Sequence, residues 1–215
     1  QRILVMSLPL PVQVEAAAQQ DLVLTLGGFH QFPVLQHTSR KIGKRISISL
    51  KLDTGLHRIG FLPEELNQLC DWLKSAEEQI QVVSTFSHYI GDTAAPMTLQ
   101  QECFRSMVAQ LQRDGIDPGL RHIASSASLE ADQTSLFDAV RVGRRLMMDH
   151  PTRPTGTIRE AVSLHTYLTD VRSRKAGEHL SYHGDICLEK ESRIGILSIG
   201  YGDGLDPALG KVKEC

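Results

Sequence analysis

No apolar run of 18 residues occurs anywhere in the sequence, so no segment is expected to span a membrane. Charge of one sign is missing as well. The chain has 23 basic and 25 acidic side chains, a formal net charge of −2, and gives no reason to expect nucleic-acid binding. Cysteine is sparse: Cys70, Cys103, Cys187 and Cys215 stand far apart with no C-x-x-C pair. A disulfide framework or a metal centre is therefore not expected, and the usage favours a reducing cytoplasm. The first residues, Gln1-Arg2-Ile3-Leu4-Val5, show neither the charged region nor the cleavage site of a signal peptide. The last residue, Cys215, comes soon after Gly210, at the expected start of another segment, so both ends read as cut.

What is present is a length of 215 residues, 41% of them hydrophobic, enough for one large domain or one and a half ordinary ones. Strand-like and helix-like patterns alternate over the first two thirds. Residues 3–6, 22–26, 45–52, 80–90, 120–126 and 138–144 have strand character, with helical patterns between most of them. Over 45–52 the alternation is clean, with Ile46, Ile48, Leu50 and Leu52 on one face and Ser47, Ser49 and Lys51 on the other, ahead of Asp53. Pro63-Glu64-Glu65 opens a helix with the apolar stripe Leu66, Leu69, Cys70 and Leu73. Thr98-x-x-Gln101 has the form of a capping box at a helix start, with Gly115 as the stop.

This rhythm predicts an α/β fold, a parallel sheet of six strands covered by helices. After Pro151 and Pro154 the texture changes to strands at 161–171, 178–188 and 193–198, without a convincing helix. A boundary follows at residue 155: an α/β part at 1–155 and the start of a mostly β domain at 156–215.

Each of the last four α/β strands ends, on its C-terminal side, in polar residues. The ends carry Lys51 and Asp53, then His88, then Ser125 and Ser126, then Arg141 ahead of Gly143. Sites in α/β barrels and open α/β sheets are built at this end. Ser126 and the backbone N–H groups around Gly143 suit an anionic group such as phosphate. Plainer explanations stand beside these. Lys51 and Asp53 can be a strand's solvent face, His88 a core histidine, Ser125 and Ser126 a helix cap, and Arg141 a surface partner of Asp138 or Asp149.

The segment Lys51-Leu52-Asp53-Thr54-Gly55-Leu56-His57-Arg58-Ile59-Gly60 resembles the K-x-D-T-G-M-x-R-x-G segment of alanine racemases. Five more segments follow in that family's order. Thr85 to His88, with Asp92 beyond, resembles T-H-x-x-x-x-D, and His122 to Ala127 resembles H-x-A-N-S-A. Val140-Arg141-Val142-Gly143 resembles V-R-x-G, residues 177–182 resemble G-E-x-V-x-Y, and residues 199–204 resemble I-G-Y-A-D-G.

The resemblance implies an eight-stranded TIM-type barrel, here partial, followed by a β domain. It implies pyridoxal 5'-phosphate as cofactor and a homodimer that racemises alanine, or else another amino acid such as serine, in a two-base reaction. Arg141 would face the cofactor's ring nitrogen and, as a permanent cation, keep it unprotonated. Tyr182 would be one base, reaching the site from the β domain of the partner subunit, with His88 and Arg141 as its relay. Arg58 would hydrogen-bond the ring oxygen, and Lys51 matches a lysine that some members carry as a carbamate. Ser125, Ser126, Gly143 and Arg144 would hold the phosphate, and Tyr201 would line the entrance.

Several positions depart from the family. Ser125 stands for its Asn, Arg144 for its Ile, and Leu146-Met147-Met148 for its Leu-Tyr-Gly, while His183 is inserted before Gly184. The family's cofactor lysine belongs to a segment upstream of anything that matches Gln1, so the 215-residue chain alone is expected to be inactive. Other readings are a degenerate or non-catalytic cofactor-binding relative, and a fold-related decarboxylase, which would need a carboxylate where Arg141 stands.

Overall fold

The structure, a computed structural model, describes residues 2–91, 93–126, 128, 137–143, 146–147, 156, 159, 161–180, 184, 186–206 and 208. The chain divides into two compact units, Gln1–Arg159 and Glu160–Cys215. Residue 155, where the sequence suggests a boundary, lies outside the described residues.

The first unit is a six-stranded sheet in sequence order, every neighbouring pair parallel. Its strands are β1 (Leu4–Val5), β2 (Val23–Leu26), β3 (Ile46–Lys51), β4 (Ile80–Phe86), β5 (Leu120–Ser125) and β6 (Ala139–Arg141). Sequential parallel order with a crossover at each step is the arrangement of a β/α barrel wall. The helices are α1 (Pro11–Gln19), α2 (Phe32–Ile42), α3 (Leu66–Ser75) and α4 (Ala94–Arg113).

Ile46, Ile48, Leu50 and Leu52 are buried together with α3's stripe of Leu66, Leu69, Cys70 and Leu73, as the spacing predicts. Each such side chain contributes about 1.5–3 kcal/mol of burial energy. The opposite face of β3 is not a solvent face: Ser49 is fully buried and Lys51 is only 2% exposed. Parallel sheets are covered on both sides, and this strand follows that rule.

Several boundaries differ from the sequence reading. Helix α4 begins at Ala94, with extended Thr93 as its N-cap, so Thr98 and Gln101 lie inside the helix rather than at its start. Pro96 is tolerated because a first-turn residue needs no N–H partner within the helix. Strand β4 ends at Phe86; Ser87 N–H still donates to the His122 carbonyl at 3.2 Å, and residues 88–90 leave the sheet toward α4.

In the second unit β7 (Leu168–Arg174) pairs antiparallel with β10 (Ser192–Leu197), and β8 (His179–Leu180) pairs antiparallel with β9 (Ile186–Cys187). The strand expected from residue 161 begins at 168, because its partner ends there: the last rung is Ser198 N–H to the Tyr167 carbonyl at 3.0 Å. Among the described residues this unit has no α-helix.

Candidate active site

The parallel register brings Lys51, Phe86 and His122 into one row across β3, β4 and β5. His122 stacks on Phe86 with ring centroids 5.1 Å apart and planes 6° from parallel. Lys51 Nζ and the Arg141 guanidinium each lie 5.3 Å from the centre of the Phe86 ring. The aromatic ring is therefore a nonpolar platform for two cations, a contact that gains strength when water is excluded.

Arg141, the last residue of β6, uses its two terminal nitrogens on five acceptors. Nη1 lies 2.7 Å from His122 Nδ1 and donates to the His122 carbonyl at 3.3 Å. Nη2 lies 3.0 Å from His88 Nδ1 and donates to the carbonyls of Ser87 and Ile123 at 2.8 and 3.0 Å. Its Nε is buried without a protein partner. The surface pairing of Arg141 with Asp138 does not form. Asp138 is held by Arg121, whose Nε and Nη2 donate at 2.6 and 2.7 Å, and Asp149 lies outside the described residues.

Burial pulls the charges down. Desolvation, then repulsion from Arg141 and Lys51, lowers His88 and His122 each to about 4, with Arg58 adding to the effect on His88. Burial lowers Arg141 to about 10, which still leaves it a cation at neutral pH. Lys51 falls to about 8 through burial, which Asp53 opposes and Arg141 and Arg58 reinforce.

The loop after β3 is folded by Asp53, only 5% exposed, whose Oδ1 accepts the N–H groups of Gly55 and His57 at 2.9 and 3.1 Å. Such a side-chain turn is what Asp does well when its neighbours leave a strand. Phe61 closes the loop, donating to the Lys51 carbonyl at 2.9 Å and accepting from Asp53 N at 2.8 Å. Gly60 makes this approach possible: its φ is +122°, and a Cβ there would lie 2.8 Å from the Asp53 nitrogen. Arg58 stands exposed on this loop.

At the next two strand ends, Ser125 pairs in register with Arg141, and its N–H donates to Ser128 Oγ at 2.8 Å. Gly143 N–H donates to Ser126 Oγ at 3.1 Å. A cavity of about 620 Å³ runs along the inner side of the sheet, with Leu4 and Val23 at one edge and His122, Ala139 and Arg141 at the other.

Lys51, His88, Ser125, Ser126, Arg141 and Gly143 thus meet at one end of the sheet. Arg144 and Tyr182 lie outside the described residues, and Tyr201, 76% exposed, belongs to the second unit. Two participants were missed as site residues from sequence, His122 and Phe86. The signal was available in the strand parity, since residues two apart share a face and the parallel register aligns the rows.

The alanine racemase N-terminal domain family model matches residues 1–151, and the alanine racemase C-terminal domain model matches residues 161–215. An alanine racemase of Methanococcus maripaludis is 28% identical over 200 residues, covering 89% of this chain and 53% of that protein. One from Yersinia pestis is 32% identical over 166 residues, covering 74% of this chain and 45% of its own length. The crystal structure of alanine racemase from a D-cycloserine-producing Streptomyces lavendulae is 27% identical, superposes with a TM-score of 0.82, and covers 94% of this chain and 55% of that one. The chain spans about half the length of the curated relatives it matches. Two family models that together account for nearly every residue, and a fold shared with solved members, leave one assignment: the chain belongs to the alanine racemase family.

Proposed function

We propose that this chain is part of an amino-acid racemase that interconverts L- and D-alanine with pyridoxal 5'-phosphate. The observation that carries the reading is Arg141, a half-buried cation gripped by two histidines where four parallel strands end. Its partnerless buried Nε–H and its retained charge suit a group that presents an uncharged ring nitrogen. The Ser126 hydroxyl and Gly143 N–H, which satisfy each other here, suit that group's phosphate, with Ser125 and Arg144 beside them in sequence. When bound, the cofactor supplies an electron sink for the pair left behind as a proton departs from Cα.

The chain's own residues do the rest. Arg141 holds the ring nitrogen free of a proton, which limits the sink and favours simple proton exchange. Arg141 supplies the positive charge, relayed through the neutral His88, beside which Tyr182 of the partner subunit loses and regains a proton as one base. Arg58 orients the ring oxygen, Lys51 supports Arg58 when carbamylated, and Tyr201 guards the entrance. The second base, a lysine, comes from outside these 215 residues. Residues 1–155 serve as the cofactor-binding barrel part and 156–215 as the start of the β domain, in a homodimeric, cytoplasmic enzyme.

The test is racemisation of L-alanine by the full-length protein, read by polarimetry. Activity is expected, together with its loss in Tyr182→Phe and in the isolated 215-residue chain. Turnover of L-serine but not L-alanine would reassign the substrate, and a full-length protein that binds cofactor without turnover would reject the reading.

A further inference from the structure

Beyond β4 the chain leaves the sheet, and among the described residues no strand pairs with residues 88–90. A side chain takes that place. Gln100, on the inner face of α4 and 5% exposed, accepts the Ile90 N–H on Oε1 at 2.9 Å and donates from Nε2 to the His88 carbonyl at 3.1 Å. Both partners are backbone groups with fixed roles, so the orientation of the amide is determined by them. The primary amide thus brackets Tyr89, holding the His88 carbonyl on one side and the Ile90 N–H on the other, much as a neighbouring strand would.

The same Nε2 donates to Thr54 Oγ1 at 3.3 Å. Ser87 Oγ donates to the Leu52 carbonyl at 2.8 Å, so the Thr54 hydroxyl is the donor in the 2.8 Å contact between Thr54 and Ser87. One direction runs through the whole chain, from Gln100 to Thr54 to Ser87 to the Leu52 carbonyl. All three side chains in it are buried, and each proton has one acceptor. The Ser87 carbonyl in turn receives Arg141 Nη2. A single amide on a helix anchored by Met97, Phe104, Met107 and Leu111 therefore ties together the ends of β3 and β4.

We propose that Gln100 is the positioning residue of this site, holding the His88 backbone so that the imidazole meets the Arg141 guanidinium. The inference rests on the racemase reading for its consequence in catalysis, and on geometry alone for the placement of His88. Gln100 bonds the His88 carbonyl rather than its ring, so it acts through the backbone.

The test compares the full-length protein with Gln100→Met, which keeps the length and packing of the side chain and removes every hydrogen bond. Two readouts are taken: racemisation kinetics with cofactor absorbance, and the His88 titration by NMR with isotope-labelled histidine, assigned through His88→Gln. The variant is expected to lose about tenfold or more in kcat, with KM and cofactor occupancy within about twofold. The His88 midpoint is expected to rise from about 4 toward the ordinary 6.5 as the ring regains water and leaves the guanidinium. Either readout unmoved overturns the proposal, as does a loss of cofactor equal to the loss of rate, which would mark general loosening. If the unaltered protein proves not to be a racemase, that reading falls and the His88 titration alone decides the positioning claim. Should Gln100→Met not fold, Gln100→Glu keeps the acceptor for Ile90, loses both donated bonds, and is judged by the same readouts.

Discussion

Arg141 Nη1 lies 2.7 Å from His122 Nδ1, and since a guanidinium only donates, that ring nitrogen accepts. The same logic applies to His88, 3.0 Å from Nη2. Both imidazoles are consequently neutral and carry their proton on Nε2, pointing away from the cation. The guanidinium is thus held by two neutral acceptors and is not one of three competing cations.

A pH prediction follows with a definite sign. Each ring has its midpoint lowered to about 4 in the folded chain, from an ordinary 6.5. Between those values the unfolded chain binds more protons, so stability rises with pH across that window. Above about 6.5 the contribution is constant, and below about 4 it is lost in full. The limiting slope is about 1.4 kcal/mol per pH unit for each ring. Urea midpoints of the full-length protein should fall from pH 6.5 to pH 4 by more than those of His122→Gln; equal slopes would contradict the neutral assignment.

Arg141→Lys removes the fork that reaches two histidines and the carbonyls of Ser87, His122 and Ile123. A lysine has three donors on one nitrogen, and at least two buried acceptors lose their partner. Each unsatisfied group costs about 1–3 kcal/mol. Thermal unfolding should register this loss. A variant as stable as the parent would show that the clamp is not structural.

Two glycines of left-handed conformation separate strain from steric clash. Gly43 ends α2 at φ +64° with nothing within 4 Å of a would-be Cβ. Gly119 enters β5 at φ +60°, where a Cβ would stand 2.2 Å from the Val83 carbonyl oxygen. Gly43→Ala should cost about 1–2 kcal/mol, the left-handed penalty alone. Gly119→Ala should cost clearly more, because backbone must yield, and it should displace His122 from Phe86. Comparable melting temperatures for the two variants would refute the distinction.

Much of this was legible from the residues. The parallel order of six strands followed from the alternation of patterns, and four polar strand ends located the site. The plainer reading of Lys51 and Asp53 as a solvent face failed because period two cannot say whether the polar face meets water or another layer. His122 was overlooked since a lone histidine inside a strand looks like core; only its register with Phe86 and the reach of the Arg141 side chain give it partners. Gln100 was invisible for a related reason. Its partners His88 and Thr54 lie 12 and 46 residues away, and no local pattern encodes such a bond. The start of α4 was misplaced because Thr98-x-x-Gln101 has the form of a capping box, whereas the helix takes its N-cap from Thr93.

Lys51 provides the last prediction. Only an uncharged amine can attack carbon dioxide, and burial holds this ammonium down to about 8, so a usable fraction is free base near neutrality. The amine nitrogen forms a bond to the carbon, a proton leaves for solvent, and the product is an anionic carbamate. That anion would sit among Arg141, Arg58 and the neutral His88, where attraction to the two cations offsets the cost of burying it. Labelled bicarbonate added to the full-length protein should therefore yield a carbamate carbon resonance that is absent in Lys51→Ala. Asp53→Asn, which keeps acceptors for the Gly55 and His57 N–H groups, removes the charge that raises the Lys51 midpoint. The free-base fraction at a given pH should then grow, and carbamate should form at lower pH than in the parent. No resonance in any of the three proteins, or one that survives Lys51→Ala, would reject the carbamate at this position.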